Sequence, residues 1–376
     1  MAAMTLVVGS CDGAAPQTLR ARLGEAPSMA AMPPGIVPLI ASFLGHHDLY
    51  ISAVSPRVGT APPKRFILGV NILASPVASY EYIDIVRHAE EPPDVFDDSV
   101  VAVGDDILRT GGRIIDCNTR SPTTRARRFT PRSCAHRFTP TTREWTECSP
   151  MTVARWGHVA IAARDAVLVV GGSTPDGAGG IRRAPCEIYG TDKSDDGSAP
   201  QVWRPVAQMR VARVRLRGAA CGAAVYAWGS GDHRHITGER YDIASGVWTD
   251  TRDLTFQCLD HCVAVEAAKL LVGVGWSTRD GDRYTVALYC VRTDTWRAAP
   301  WELPDATSPP AVLKVVAGHL VYVTYRRVDP IKPAGVTTAY MLWRLPVGLV
   351  ASTDFAAVSA AWVCGGTPHS AAPLSL

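Results

Sequence analysis

Side chains with metal or nucleophilic chemistry are few in this chain, and they are poorly grouped. Asp232-His233-Arg234-His235 sets two imidazoles two residues apart, a ligand-like spacing, but no third ligand stands at a diagnostic distance. His233 and His235 are therefore read as loop residues available to a partner. Asp260-His261-Cys262 opens an apolar run, where strand alternation sends His261 to one side and Cys262 to the other. They do not make a local Cys–His pair, although a ring fold can gather distant residues. Gly177-Ala178-Gly179-Gly180 lacks the lysine and the following helix of a phosphate cradle, and no dinucleotide fingerprint or nucleophile elbow occurs. No catalytic residue, metal or cofactor is expected, and the chain is read as a non-enzyme.

Arginine supplies the one concentrated charge. Arg120, Arg125, Arg127, Arg128, Arg132 and Arg137 fall within eighteen residues that hold no acid. Guanidinium forks suit carboxylates and phosphates. Only Phe129 and Phe138 stand near to stack on bases, so nucleic acid is not expected and an acidic protein is the favoured partner. The plain alternative is a solvated loop without a partner.

These residues need a scaffold, and the composition allows a large one. The 376 residues are 47% hydrophobic and 19% charged with a net charge of +3, which excludes a disordered chain and any strong global pull toward nucleic acid or membrane. Ten cysteines are scattered without zinc-like pairing, many in apolar runs, which points to free thiols in a reducing compartment, cytoplasmic or nuclear; a disulfide or two is the alternative. No apolar run is long enough to cross a membrane, and the apolar start is too short for a secretory signal. A monomer is expected outside its complex.

Strand-like runs close on Trp145, Trp203, Trp248, Trp296 and Trp343, at intervals of 58, 45, 48 and 47 residues. Short apolar runs and glycine turns at such a period are the mark of β-propeller blades, each of which must stack on its neighbours to bury its faces. Five blades are read between 99 and 350, the last with Pro346 to Val350 as its outer strand. The runs Phe355 to Val358 and Ala361 to Gly366 are read as half of a sixth, completed by strands at 66–73 and 79–86. The expected fold is a six-bladed kelch-like β-propeller with a short α-helical N-terminal segment: residues 1–60 loose and helical, 61–366 propeller, 367–376 tail. Seven blades is the alternative count.

The repeat resembles the kelch family. Phe138 to Trp145, Pro150-Met151 through Arg155 to His158, and Val167 to Gly171-Gly172 follow that family's aromatic, arginine and double-glycine order, with Thr152 in place of a proline. Partial copies follow around Trp228-Gly229, Gly273-Val274-Gly275, Tyr340 with Trp343, and Gly365-Gly366. Structural roles are expected throughout. Gly111, Gly112, Gly171 and Gly172 end inner strands where blades crowd, the tryptophans fill wedges between blades, and Arg155 and His158 bond to backbone. Copper radical oxidases share this architecture, but no matching ligand set is present.

Residues 33–58 resemble the start of an F-box. Pro33 stands at the entry, Ile36, Leu39, Ile40, Phe43 and Leu44 make a helical stripe, and Asp48-Leu49 opens a second helix to Val54. The resemblance implies docking to a Skp1-like adaptor of a cullin ubiquitin ligase, with the propeller holding a protein client. A helical plug against the propeller is the alternative for these helices, and a scaffold or structural role without a ubiquitin link the alternative for the whole chain.

Overall fold

The computed structural model describes residues 97–104, 106–120, 127–139, 142, 144–163, 166–176, 180–191, 201–230, 236–254, 259–277, 281–307, 310–316, 318–328, 337–364 and 374–375, and four strands at 5–7, 48–54, 65–71 and 80–83. Those four, β1 (Thr5–Val7), β2 (Asp48–Val54), β3 (Arg65–Asn71) and β4 (Tyr80–Ile83), form one antiparallel sheet in chain order.

Five blades follow among the described residues. Blade 1 joins β5 (Ser99–Val103), β6 (Asp106–Thr110), β9 (Ala135–Thr139) and β10 (Glu144–Cys148), with β7 (Arg113–Arg120) and β8 (Arg127–Pro131) paired as a separate ribbon between β6 and β9. Blade 2 joins β11 (Val159–Ala163), β12 (Ala166–Val170), β15 (Glu187–Thr191) and β16 (Gln201–Pro205), with a small hairpin of β13 (Ser173–Pro175) and β14 (Ile181–Arg183) at the same connection. Blade 3 is β17 (Val214–Cys221), β18 (Ala224–Ser230), β19 (Ile236–Asp242) and β20 (Val247–Leu254). Blade 4 is β21 (His261–Val265), β22 (Leu270–Ser277), β23 (Arg283–Cys290) and β24 (Thr295–Ala298). Blade 5 is β25 (Pro310–Val316), β26 (His319–Val328), β27 (Thr337–Pro346) and β28 (Val363–Cys364).

The inner strands β5, β11, β17, β21 and β25 neighbour one another in that order around a channel, and β1 borders β5. The core is accordingly a series of apolar wedges between successive blades. Val101, Leu108, Val167 and Trp203 pack between blades 1 and 2, and Ile161, Leu168, Val225 and Trp248 between blades 2 and 3. Within each of blades 1 to 4 a tryptophan on the outer strand faces its cross-strand aromatic: Phe138–Trp145, Tyr189–Trp203, Tyr241–Trp248 and Tyr289–Trp296, at 4.9–5.2 Å between ring centroids. Such pairs add about 0.5–1.5 kcal/mol each beyond area burial.

The structure corrects the expected architecture in several places. Among the described residues the blades that follow the N-terminal sheet number five, neither six nor seven, and the composite blade does not form. Strands β3 and β4 pair with β2 and not with the C-terminal segment. Phe355–Ala361 is a helix, α1, capped by Asp354, whose Oδ1 accepts from Ala357 N at 3.0 Å. Its alanine content and cap outweigh the short apolar run that reads as a strand. Val358 anchors it, fully buried, against the wedge between blades 4 and 5. Val347–Leu349 is a 3-10 turn where an outer strand was expected, and β28 takes that place. Trp343 therefore lies on β27, the third strand, and departs from the outer-strand position of the other four tryptophans.

The single α-helix among the described residues is this C-terminal one. The expected second N-terminal helix, Leu49 to Val54, is strand β2, in register with β3 from Asp48↔Asn71 to Val54↔Arg65. Alternation and the β-formers Tyr50, Ile51 and Val54, backed by a long-range partner strand, outweigh the capping potential of Asp48. Ile36, Leu39, Ile40, Phe43 and Leu44 lie outside the described residues, as do Gly365 and Gly366.

Candidate functional site

In a four-stranded meander the link between strands two and three leaves from the opposite end to the two remaining turns, and from the same end as the link to the next blade. Ribbon β7–β8 and hairpin β13–β14 both occupy the second-to-third link, so both stand on one face of the ring.

The ribbon's base is tightly tied. Gly111 N donates to Cys134 O at 2.9 Å, Gly112 N to Arg155 O at 2.8 Å, Arg132 N to Gly112 O at 2.8 Å, and Arg155 N to Arg132 O at 3.0 Å. Gly111 and Gly112 have φ of +59° and +95°, and Gly171 and Gly172 have +65° and +86°. A Cβ on Gly172 would meet Trp156 O at 2.8 Å, so glycine is required there on both counts. Arg113 pairs with Asp97 at 2.6 Å and lies 5.9 Å from the Trp156 ring centroid.

Further out the ribbon's register sets Arg128 opposite Asp116 and Arg120 opposite Arg127, with an irregularity between. Like charges directly across a ladder are destabilising. On the neighbouring hairpin Arg182 and Arg183 are exposed, and Ile181 is 60% exposed. Of the three remaining arginines of the sequence cluster, the two described ones diverge. Arg132 bridges Arg155 at the ribbon's base, whereas Arg137 lies within blade 1 on β9, bonded to Gln201 and 3.5 Å from Asp106. Arg125, His233 and His235 lie outside the described residues.

Beneath this face sits a repeated clamp that sequence reading found in half of one copy. Fully buried Arg155 is ion-paired with buried Glu187 and donates to Gly171 O at 3.2 Å and to Pro185 O. Glu187 Oε2 also accepts from Thr152 N at 2.8 Å. Blade 3 repeats it: Arg213 pairs with Glu239, which accepts from Arg210 N at 2.8 Å and Val211 N at 3.0 Å. The signal was available as Met151–Arg155 and Met209–Arg213, matched in spacing after Trp145 and Trp203, with Glu187 and Glu239 each two residues before a tyrosine.

His158 lies beside this clamp, 2.9 Å from Thr110 Oγ1 through Nε2. Thr110 Oγ1 is placed to donate to Ser99 O at 3.3 Å, which leaves it to accept from an Nε2–H imidazole. Burial, and then the nearby Arg155 charge, push the His158 pKa down to about 3. A neutral imidazole of this kind is a structural bond and no proton shuttle near neutral pH.

The channel wall carries Lys314 and Cys262 among apolar side chains. Burial lowers Lys314 to about 8 and raises the Cys262 thiol to about 12, each moderated by the other. The thiol is thus held protonated, the reverse of what nucleophilic activation requires. Cys186 and Cys221 are buried free thiols, and burial raises both.

No family model matches the chain. Kelch-like protein 34 from Homo sapiens is 30% identical over 165 residues, covering 42% of this chain and 25% of that protein. The chain thus spans about a quarter of the length of the curated relative it matches. A solved structure described as "Structure of YjhT" superposes with a TM-score of 0.53 at 12% identity, over 82% of this chain and 95% of that one. The chain is a β-propeller related at low identity to kelch-family and other propeller proteins.

Proposed function

We propose that this propeller is a non-enzymatic protein-interaction module of kelch type that holds an acidic partner against its ribbon face. The observation that carries the reading is ribbon β7–β8. It is an ordered pair of strands, anchored at its base by backbone bonds, whose register opposes Arg120 to Arg127 with no acid between positions 120 and 137. A run of guanidinium-bearing residues on paired strands, with no acid between positions 120 and 137, suits a carboxylate-bearing partner. Ile181, Arg182 and Arg183 extend the same face with an apolar contact and two further cations. The free cysteines suit a reducing compartment. A ubiquitin-ligase adaptor role needs paired N-terminal helices, and strand β2 takes the place of the second, so the proposal stops at client binding.

The experiment is capture from native extract by the immobilised full chain, alongside a variant with Arg125, Arg127 and Arg128 changed to serine. Proteins lost from the variant should be those with acidic segments, while the variant's melting temperature stays within a degree or two, since charges that serve a partner contribute only about 0–1 kcal/mol to folding. Identical retention by both chains would overturn the assignment of the ribbon.

A further inference from the structure

Blades 2, 3 and 4 carry the same aromatic pair, but blade 4 has lost what surrounds it. In blades 2 and 3 the indole N–H donates to the carbonyl four residues beyond the preceding tryptophan: Trp203 Nε1 to Ser149 O and Trp248 Nε1 to Ala207 O, both at 2.8 Å. In each the glutamate two residues before the tyrosine, Glu187 or Glu239, fills the wedge with a carboxylate. Blade 4 has Ala287 at that position, and Cys258 stands ten residues after Trp248, where Arg155 and Arg213 stand after Trp145 and Trp203. Trp296 Nε1 is buried without a partner. The outer strand is also short: β24 pairs with β23 only over Ala287–Cys290, whereas β20 follows β19 from Asp242 back to Ile236.

The result is a cavity of about 600 Å³ at this end of blade 4, within the usual range for small-molecule sites. Leu254, Ala287 and Trp296 give it an apolar wall, and Arg252, Arg283 and Thr285 a polar one. Arg283 Nε and Thr285 Oγ1 are buried without hydrogen-bond partners, as is the Trp296 indole nitrogen. Asp253 and Glu302 also border the cavity, and Glu302 accepts from a terminal nitrogen of Arg283 at 2.8 Å, leaving Nε uncommitted. Three polar groups able to donate thus stand where the sister blades hold an internal carboxylate. Unmet buried donors are costly, and a suitable guest would recover that cost.

We propose that this cavity binds a small molecule bearing a carboxylate on an apolar body. The carboxylate takes the place of the glutamate of blades 2 and 3, against Arg283, Thr285 and Trp296. The apolar body lies along Trp296 and Leu254. This site lies at the same end of the ring as the ribbon but on blade 4, and it uses none of the ribbon's arginines.

The test uses the full chain with benzoate as probe and benzamide as its neutral counterpart, read by the indole N–H resonance of Trp296, identified by its loss in Trp296→Phe. Benzoate should shift that resonance saturably, and benzamide should bind about tenfold more weakly or worse, as loss of a charge-assisted bond predicts. Arg283→Met should weaken benzoate about tenfold while leaving benzamide unchanged. Ala287→Glu, which restores an internal carboxylate, should abolish benzoate binding; should that variant not fold, Arg283→Met decides alone. An indole signal unmoved by benzoate up to the high-millimolar range, equal affinity for the two probes, or wild-type affinity in Arg283→Met would overturn the proposal.

Discussion

At the scale of single residues, burial decides which charges matter. Arg155 and Glu187 are both inaccessible to solvent, as are Arg213 and Glu239 to within 2%, whereas Arg210 and Asp250, 2.6 Å apart, are about 60% exposed. Removing one member of a buried pair strands the other charge in the wedge, a loss of about 3–5 kcal/mol. Glu187→Ala should therefore lower unfolding free energy in urea by that order, and it also orphans Thr152 N. Asp250→Ala should change it by less than about 1 kcal/mol. Equal effects would mean that the clamp is no more than a surface pair. His158 adds a pH dependence. Its folded pKa, about 3, lies below the value near 6.5 expected when unfolded, so the unfolded chain binds the extra proton. Stability should be unaffected above about pH 6.5 and should fall by roughly 1.4 kcal/mol per unit between there and pH 3. His158→Gln should remove that slope, and an unchanged slope would assign the acid sensitivity to another group.

At the scale of elements, the turns at strand ends are where glycine is irreplaceable, and the structure separates two kinds. Gly172 has a positive φ and no room for a Cβ, while Gly104 has φ +58° with nothing within 4 Å. Gly104→Ala should cost about 1 kcal/mol of backbone strain, and Gly172→Ala several kcal/mol, since Trp156 O and His158 must also move. Thermal melts of the two variants check the order, and similar losses would remove the packing part of the argument. The Gly171-Gly172 doublet was visible in the sequence because local geometry forces it. So were the strands of blades 1 to 4, where a two-residue alternation and a closing tryptophan coincide. Less was visible where a contact is made across the chain. Glu187 and Glu239 look like ordinary strand charges until the fold brings Arg155 and Arg213 against them. Asp48–Val54 carries both a helix cap and a strand alternation, and only its pairing with β3 decides between them. The segment after Trp343 misled for the same reason, since α1 and β28 are set by packing of Val358 and by pairing with Trp343 and Arg344.

At the scale of the whole molecule, a net charge of +3 conceals an uneven distribution. On the ribbon face stand Arg113, Arg120, Arg127, Arg128, Arg182 and Arg183. The opposite ends of the blades carry Asp106, Glu144, Asp242, Glu266 and Asp294, offset in part by Arg240 and Lys269, which pair with Asp242 and Glu266. Asp97, Asp176, Asp282 and Glu302 also stand at the ribbon end, so the excess of cations is local to the ribbon and the neighbouring hairpin, and such a patch steers an acidic partner toward that part of the ring. The steering acts through solvent, over a Debye length of about 8–10 Å, so salt should diminish it. Binding of a fluorescent polyglutamate peptide to the full chain should therefore weaken steeply as salt rises from about 0.05 to 0.5 M. Arg127→Ser with Arg128→Ser should lower both the affinity and the steepness of that salt response. Lys269→Ser, on the other face, should alter neither. A salt response that survives the double ribbon change, or one equally reduced by Lys269→Ser, would show that the attraction comes from the chain's overall charge. Recognition would then not reside in the geometry of one face.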